Sequence, residues 1–187
     1  MSTTTVTPQA GISTWNIDAT HSAAEFKVRH LMISNVKGHF NKVSGVLTLN
    51  EADPTTSSVV ATIEVDSIDT RDAQRDAHLK SADFFEADKF PTMTFQSTKV
   101  SVTGDSQGTV EGELTIKGVT KTVVFDVEGP TAPSKDPWGN LRVGVEAKTK
   151  ISRKEFGLTW SAPLETGGVM VGDEVAITLE VEFVKAA

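Results

Sequence analysis

The residues best suited to chemistry are four histidines, and three of them, His21, His30 and His39, fall within one stretch, "HSAAEFKVRHLMISNVKGHF". A metal site needs several ligands that converge, commonly through His-x-His, His-x3-His or a carboxylate at short spacing. Here the histidines are spaced nine and nine apart, so no metal site is expected. Serine, histidine and aspartate are common enough to align by chance, so a nucleophilic triad is not expected. The chain has no cysteine, which removes disulfides, thiolate nucleophiles and thiolate metal sites together. Three polar candidates for contact with a ligand remain: His30, His78 and Arg153. Arg153 stands in "SRKEFG", where a strand is expected to end, and Arg75, Asp76 and His78 share a short helix. Arg75 with Asp76 reads first as a structural ion pair that fastens this helix to the rest of the protein. His30 has two readings, a hydrogen-bonded core histidine and a polar anchor for a ligand head group. An enzymatic alternative is a small metal-binding or hydrolytic protein using His30 with His78 or Arg153.

The elements that must position these residues are strands. From Ala24 to His30 apolar and charged residues alternate, which puts His30 on the side of Ala24, Phe26 and Val28. The same period of two runs through Val43, Gly45, Leu47 and Leu49, and through Val59, Ala61, Ile63 and Val65. It returns in Val110, Gly112, Leu114 and Ile116, in Val123, Phe125 and Val127, and in Leu141 to Ile151. The clearest case sets Val175, Ile177, Leu179, Val181 and Phe183 against Thr178, Glu180 and Glu182. Met93 to Val102 is a weaker strand turned back by "GDSQG", and Lys117-Gly118 reads as a tight hairpin turn. About eight or nine strands with one apolar face each predict an all-β, antiparallel up-and-down barrel, which leaves no exposed edges. A sandwich is the alternative, disfavoured by the length of the strands.

Two segments break the strand rhythm. Ser67 to Pro91 carries helix signals, with Thr70 as N-cap, a short helix starting just after it and a helical insertion near residues 70–87. Its Phe84, Phe85 and Phe90 either plug or gate a barrel mouth or simply cover one end of the core. Ser152 to Asp173 is too long for a hairpin turn and keeps Phe156, Leu158, Trp160 and Leu164, so it should pack on the barrel.

Composition narrows the partners. A formal net charge of −7, a pI near 5.1 and the lack of a Lys/Arg cluster argue against nucleic acid. No run approaches the roughly 18 apolar residues of a membrane-spanning helix. The start, "MSTTTVTPQAGIS", has neither a basic start nor an apolar core, so it does not read as a secretory signal and a cytoplasmic protein is expected. Residues 1–12 are read as a flexible segment and 13–187 as one domain.

Seven segments in order, "WNIDATHS", "FKVRHL", "VKGHF", "SIDTRDAQRDAHLKSADFF", "FPTMTFQS", "GELTIKGVTK" and "ISRKEFG", resemble the YceI-like family, and the resemblance spans Trp15 to Phe183. It implies an extended, lipocalin-like barrel that holds a polyisoprenoid, an isoprenoid quinone or a similar long-chain lipid without catalysing a reaction. A homodimer is also implied, and the bound lipid takes the place of any cofactor. Many members of the family look periplasmic, with a cleavable signal, and this chain departs from that pattern. Burial of each methylene is worth roughly 0.8 kcal/mol, so one isoprene unit offers on the order of 4 kcal/mol before the costs of ordering. The expected apolar walls are Phe26, Val28, Phe40, Leu47, Ile63, Phe84, Phe85, Phe95, Leu114, Ile116, Phe125, Val145, Ile151, Phe156 and Ile177. The same side chains could instead pack a solid core. Small inward residues, Ala24, Gly45, Ala61, Gly112 and Ala147, point toward a cavity.

Overall fold

Alternating apolar residues close into a barrel in the computed structural model, which describes residues 11–187. The strands are β1 (Ile12–Ile17), β2 (Ala23–His30), β3 (Ser34–Phe40), β4 (Val43–Asn50), β5 (Ser58–Glu64) and β6 (Ile68–Asp69). After the helix α1 (Ala73–Lys80) come β7 (Thr92–Gly104), β8 (Gln107–Ile116), β9 (Val119–Glu128), β10 (Ser134–Lys135), β11 (Leu141–Ser152) and β12 (Val171–Lys185). Residues 1–10 of the expected flexible segment lie outside the described residues, and Ile12 already belongs to β1.

Eight of these strands form the closed antiparallel ring β1-β4-β5-β7-β8-β9-β11-β12, sealed where β12 pairs with both β11 and β1. Beyond the ring, β12 also pairs with β2 from Val171 to Glu180, and β3 and β6 continue outward from β2. β1 and β2 are therefore two halves of one long stave, interrupted by a 3-10 turn at Ala19–His21 that the Asp18 side chain caps. β3 and β4 make the adjacent stave, with Asn41 and Lys42 at the break. These two breaks, with the short strands β6 and β10, turn the expected eight or nine strands into twelve segments without changing the barrel. Lys117 and Gly118, both with positive φ, make the expected two-residue turn between Ile116 and Val119.

The two ends differ. At one end lie the β4–β5 and β7–β8 turns, the exit from β9 and the entry to β11. The other carries the insertion after β5, the β8–β9 turn and the segment that joins β11 to β12. There, Phe84, Ala87, Phe156 and Leu158 are buried in the larger of two apolar clusters. The smaller cluster, Trp15, Leu49, Val143 and Phe183, belongs to the first end.

The helix start differs from the expectation. Asp72, not Thr70, is the N-cap, and its side chain accepts hydrogen bonds from the Gln74 and Arg75 amides, both at 3.0 Å. Thr70 is buried and occupied elsewhere. Its hydroxyl donates to Asp76 at 2.6 Å and accepts from Arg75 Nε at 2.8 Å, while Arg75 Nη2 donates to the Thr70 carbonyl at 2.7 Å. Arg75 and Asp76 thus fasten the helix by gripping Thr70 from two sides, rather than by pairing with each other.

Candidate functional site

Inside the barrel lies a cavity of about 520 Å³. All fifteen apolar residues expected in its wall, from Phe26 and Val28 on β2 to Ile177 on β12, line it. Period-two alternation on every ring strand explains this, because side chains two apart share a face. Aromatic rings supply much of the lining. Phe95 meets Phe125 edge-on with centroids 5.3 Å apart, and Phe40 meets Phe85 edge-on at 6.0 Å. The lining also takes in residues that were not among the expected walls, including Val171, Val175, Leu179, Val181 and Phe183 on β12, and Leu79, Met93 and Leu158. For β12 the signal was present, since these residues continue the alternation of Ile177.

The small residues divide. Ala24, Ala61 and Ala147 face the cavity. Gly45 and Gly112 do not make room for it: a Cβ on Gly45 would lie 2.9 Å from Ile17 Cδ1, and one on Gly112 would lie 2.5 Å from the Phe95 ring. These glycines let a neighbouring side chain cross the strand.

The polar candidates do not converge. His30 ends β2 opposite Ser34 and Val171, and lies outside the cavity lining. It shares the parity of Phe26 and Val28, and its cross-strand partner Val171 lines the cavity, but His30 itself does not. His78, also outside the lining, accepts or donates through Nε2 with Asp83 at 2.8 Å, and its ring stands edge-on to Phe84 and Trp160. Arg153 alone reaches the cavity wall, at 5% exposure. Its Nε donates to the Gly172 carbonyl at 2.8 Å, Nη1 to Leu158 and Trp160 at 2.6 and 2.7 Å, and Nη2 to Val171 at 3.1 Å. Burial pushes its pKa down, and the nearby Asp173 partly offsets this. A guanidinium so engaged ties the segment after β11 to the start of β12.

Two other arrangements bear on catalysis or metal binding. Asp18, His21 and Glu182 bring ligand-type atoms within 4.8 Å of one another, but Arg142 already donates to both carboxylates there and to Asp136 at 2.8 Å. The string Gly104-Asp-Ser-Gln-Gly108 has the G-x-S-x-G spacing. It forms a hairpin turn between β7 and β8, not the strand-to-helix elbow that raises a nucleophile.

The first end of the cavity is open in character. Pro54, Ser57, Ser58, Ser101, Val102, Ser106, Gln107, Thr109, Gly129 and Pro130 line it there, and Val102 is exposed. Among the described residues, no helix is long and apolar enough to cross a membrane.

Comparison with known proteins agrees with this architecture. A UPF0312 protein of Staphylococcus aureus is 39% identical over 173 residues, which cover 92% of this chain and 98% of that protein. The crystal structure of Burkholderia cenocepacia BcnA superposes with a TM-score of 0.76 at 25% identity, over 89% of this chain and 98% of that one. A polyisoprenoid binding domain from Saccharophagus degradans shares the fold, with a TM-score of 0.64 at 16% identity over 92% and 98% of the two chains. The sequence profile of the YceI-like domain matches residues 15–183, nearly the whole barrel, and the chain belongs to that family.

Proposed function

We propose that this protein binds, stores or carries a long apolar ligand inside the barrel, without catalysis, and that the ligand is a polyisoprenoid, an isoprenoid quinone or a similar long-chain lipid. The observation that carries this reading is the cavity itself, about 520 Å³ and walled by Phe, Leu, Ile and Val from every strand of the ring. Burial of methylene and methyl groups against such a wall supplies affinity without directional contacts. The shared fold with a polyisoprenoid binding domain supports the choice of ligand. The bound lipid serves in place of a cofactor. Carriage by a homodimer in the cytoplasm belongs to the same proposal, and light scattering and cell fractionation check it.

The test is titration of delipidated protein with a C20 prenol. Saturable binding near one equivalent is expected, lost when Phe26 is replaced by Asp. Failure of the unaltered protein to bind either the prenol or a long-chain isoprenoid quinone would overturn the reading.

A further inference from the structure

We infer that the hairpin joining β2 to β3 docks this protein onto the surface of a lipid bilayer that carries anionic head groups. The inference goes beyond the cavity reading and does not rest on it. Leu31 and Met32 occupy the two central positions of the turn, with φ of 51° and 59°, and the Ile33 amide donates to the His30 carbonyl at 3.0 Å. Two successive positive φ values define the hairpin turn that asparagine and glycine fill without strain, whereas leucine and methionine are disfavoured there. Burial does little to offset that strain, since Met32 is 53% and Ile33 78% exposed. The neighbouring loop widens the apolar surface. A Cβ on Gly168 would lie 3.2 Å from Met32 Cγ, and Leu164, Val169 and Met170 of that loop are only half-buried. The tip also projects beyond the ring. β12 pairs with β11 only from Glu174 onward but with β2 from Val171, and the Leu31 amide donates to the Met170 carbonyl at 2.8 Å.

Positive charge stands behind the tip. Lys27 and Arg29 alternate with the cavity residues Phe26 and Val28 and so face outward, and Lys37 on β3 lies directly across from Lys27. All three are exposed, and among the described residues none of them forms an ion pair. Arg29 Nη2 donates to the Met32 carbonyl at 3.0 Å, which keeps the guanidinium at the tip. Like charges directly opposite on paired strands are unfavourable without a counter-charge. The carboxylates at the start of β12 do not supply it, because Asp173 is taken by Lys154 and Glu174 by Lys150, each at 2.9 Å. Glu25, behind Lys27 on β2, and Glu165 in the neighbouring loop still leave this face positive, on a chain whose formal net charge is −7. Apolar side chains at a tip with basic ones behind them match the depth profile of a bilayer, acyl chains first and phosphates next. A second copy of the chain does not fit, since a two-fold contact through the tip would set the cations of one copy against those of the other. The opposite end also exposes apolar side chains, Val102 and Trp138, but its turns carry Glu51, Asp53 and Asp105, which an anionic surface repels.

Because the chain has no cysteine, one introduced cysteine takes a single environment-sensitive fluorophore. I33C and W138C, each labelled with nitrobenzoxadiazole, are mixed with vesicles of phosphatidylcholine alone and with vesicles containing roughly one-quarter phosphatidylglycerol. The label at position 33 should brighten and shift to the blue on the mixed vesicles, with an affinity at least about fivefold higher than for phosphatidylcholine alone. The label at position 138 should not respond. A response at 138 in place of 33, equal affinity for both vesicles, or no response from either label would overturn the inference. Co-sedimentation of the unlabelled protein with the mixed vesicles gives a second measurement. K27E/K37E should weaken it more than about tenfold. M32G/I33S should weaken it about tenfold with Tm held or raised, since glycine suits the positive φ at position 32. Sedimentation equal to that of the unaltered protein in either variant would contradict the docking surface. Prenol binding in solution is read separately, so a failure here leaves the cavity reading standing.

Discussion

Each end of the barrel is held by an arginine, and the two arginines are satisfied in different ways. Arg142, at the rim end, points outward and donates to Asp18 at 2.6 Å, to Asp136 at 2.8 Å and to Glu182. Arg153, at the insertion end, faces neutral carbonyls and only grazes a carboxylate, Asp173, at 3.6 Å. Carboxylates suit the outer site because water screens whatever charge is left over. Within the cavity wall an added carboxylate would itself need solvation, whereas carbonyl dipoles stabilise the guanidinium without adding a charge.

The sharpest way to break this contrast is to put a charge into the wall between the two ends. Phe26→Asp should abolish lipid retention on size-exclusion chromatography, and retention equal to that of the unaltered protein would show that the lining is misassigned. Next in size is Arg153→Met, which strips donors from the Leu158, Trp160, Val171 and Gly172 carbonyls. A loss of about 3–5 kcal/mol is expected in urea unfolding, and a loss below about 1 kcal/mol would mean the closed end does not depend on it.

The outer arginine is tested by acid. Hydrogen bonds from Thr20, Arg142 and His21 hold the Asp18 carboxyl well below the usual carboxylate range, and Arg142 and Asn140 do the same for Asp136. Because both pKa values are lowered on folding, their contribution is complete above the ordinary value of about 4 and fades as the pH falls through the depressed values. Thermal melts of the unaltered protein should therefore lose Tm below about pH 4, and Arg142→Met should flatten that slope. An unchanged slope would remove the outer stitch from the comparison. Smaller again is Asp72→Ala, expected to cost about 1 kcal/mol by removing the cap of α1. Last comes His30→Gln, which should weaken lipid retention only slightly, since His30 is not among the residues that line the cavity.

Much of this was legible from local alternation. The wall could be read because period two is a property of each strand alone, and each strand contributes its own inward set. The split staves left a fainter trace. Inward residues are odd-numbered at Trp15 and Ile17, even at Ala24, Phe26 and Val28, still even at Phe40, and odd again from Val43. Each change of parity marks a break, at Asp18–Ser22 and at Asn41–Lys42. The role of Arg153 left no such trace, because its partners are carbonyls, which every residue type carries. Thr70 and Asp72 are both good caps two residues apart, and only the grip of Arg75 and Asp76 on Thr70 decides between them.

The most direct test of the central claim is organic-solvent extraction of the protein purified from its native host, followed by mass spectrometry, with elemental analysis of the same sample. About one equivalent of a long-chain isoprenoid or similar lipid per chain is the result this account predicts. A stoichiometric metal with no extractable lipid would contradict it.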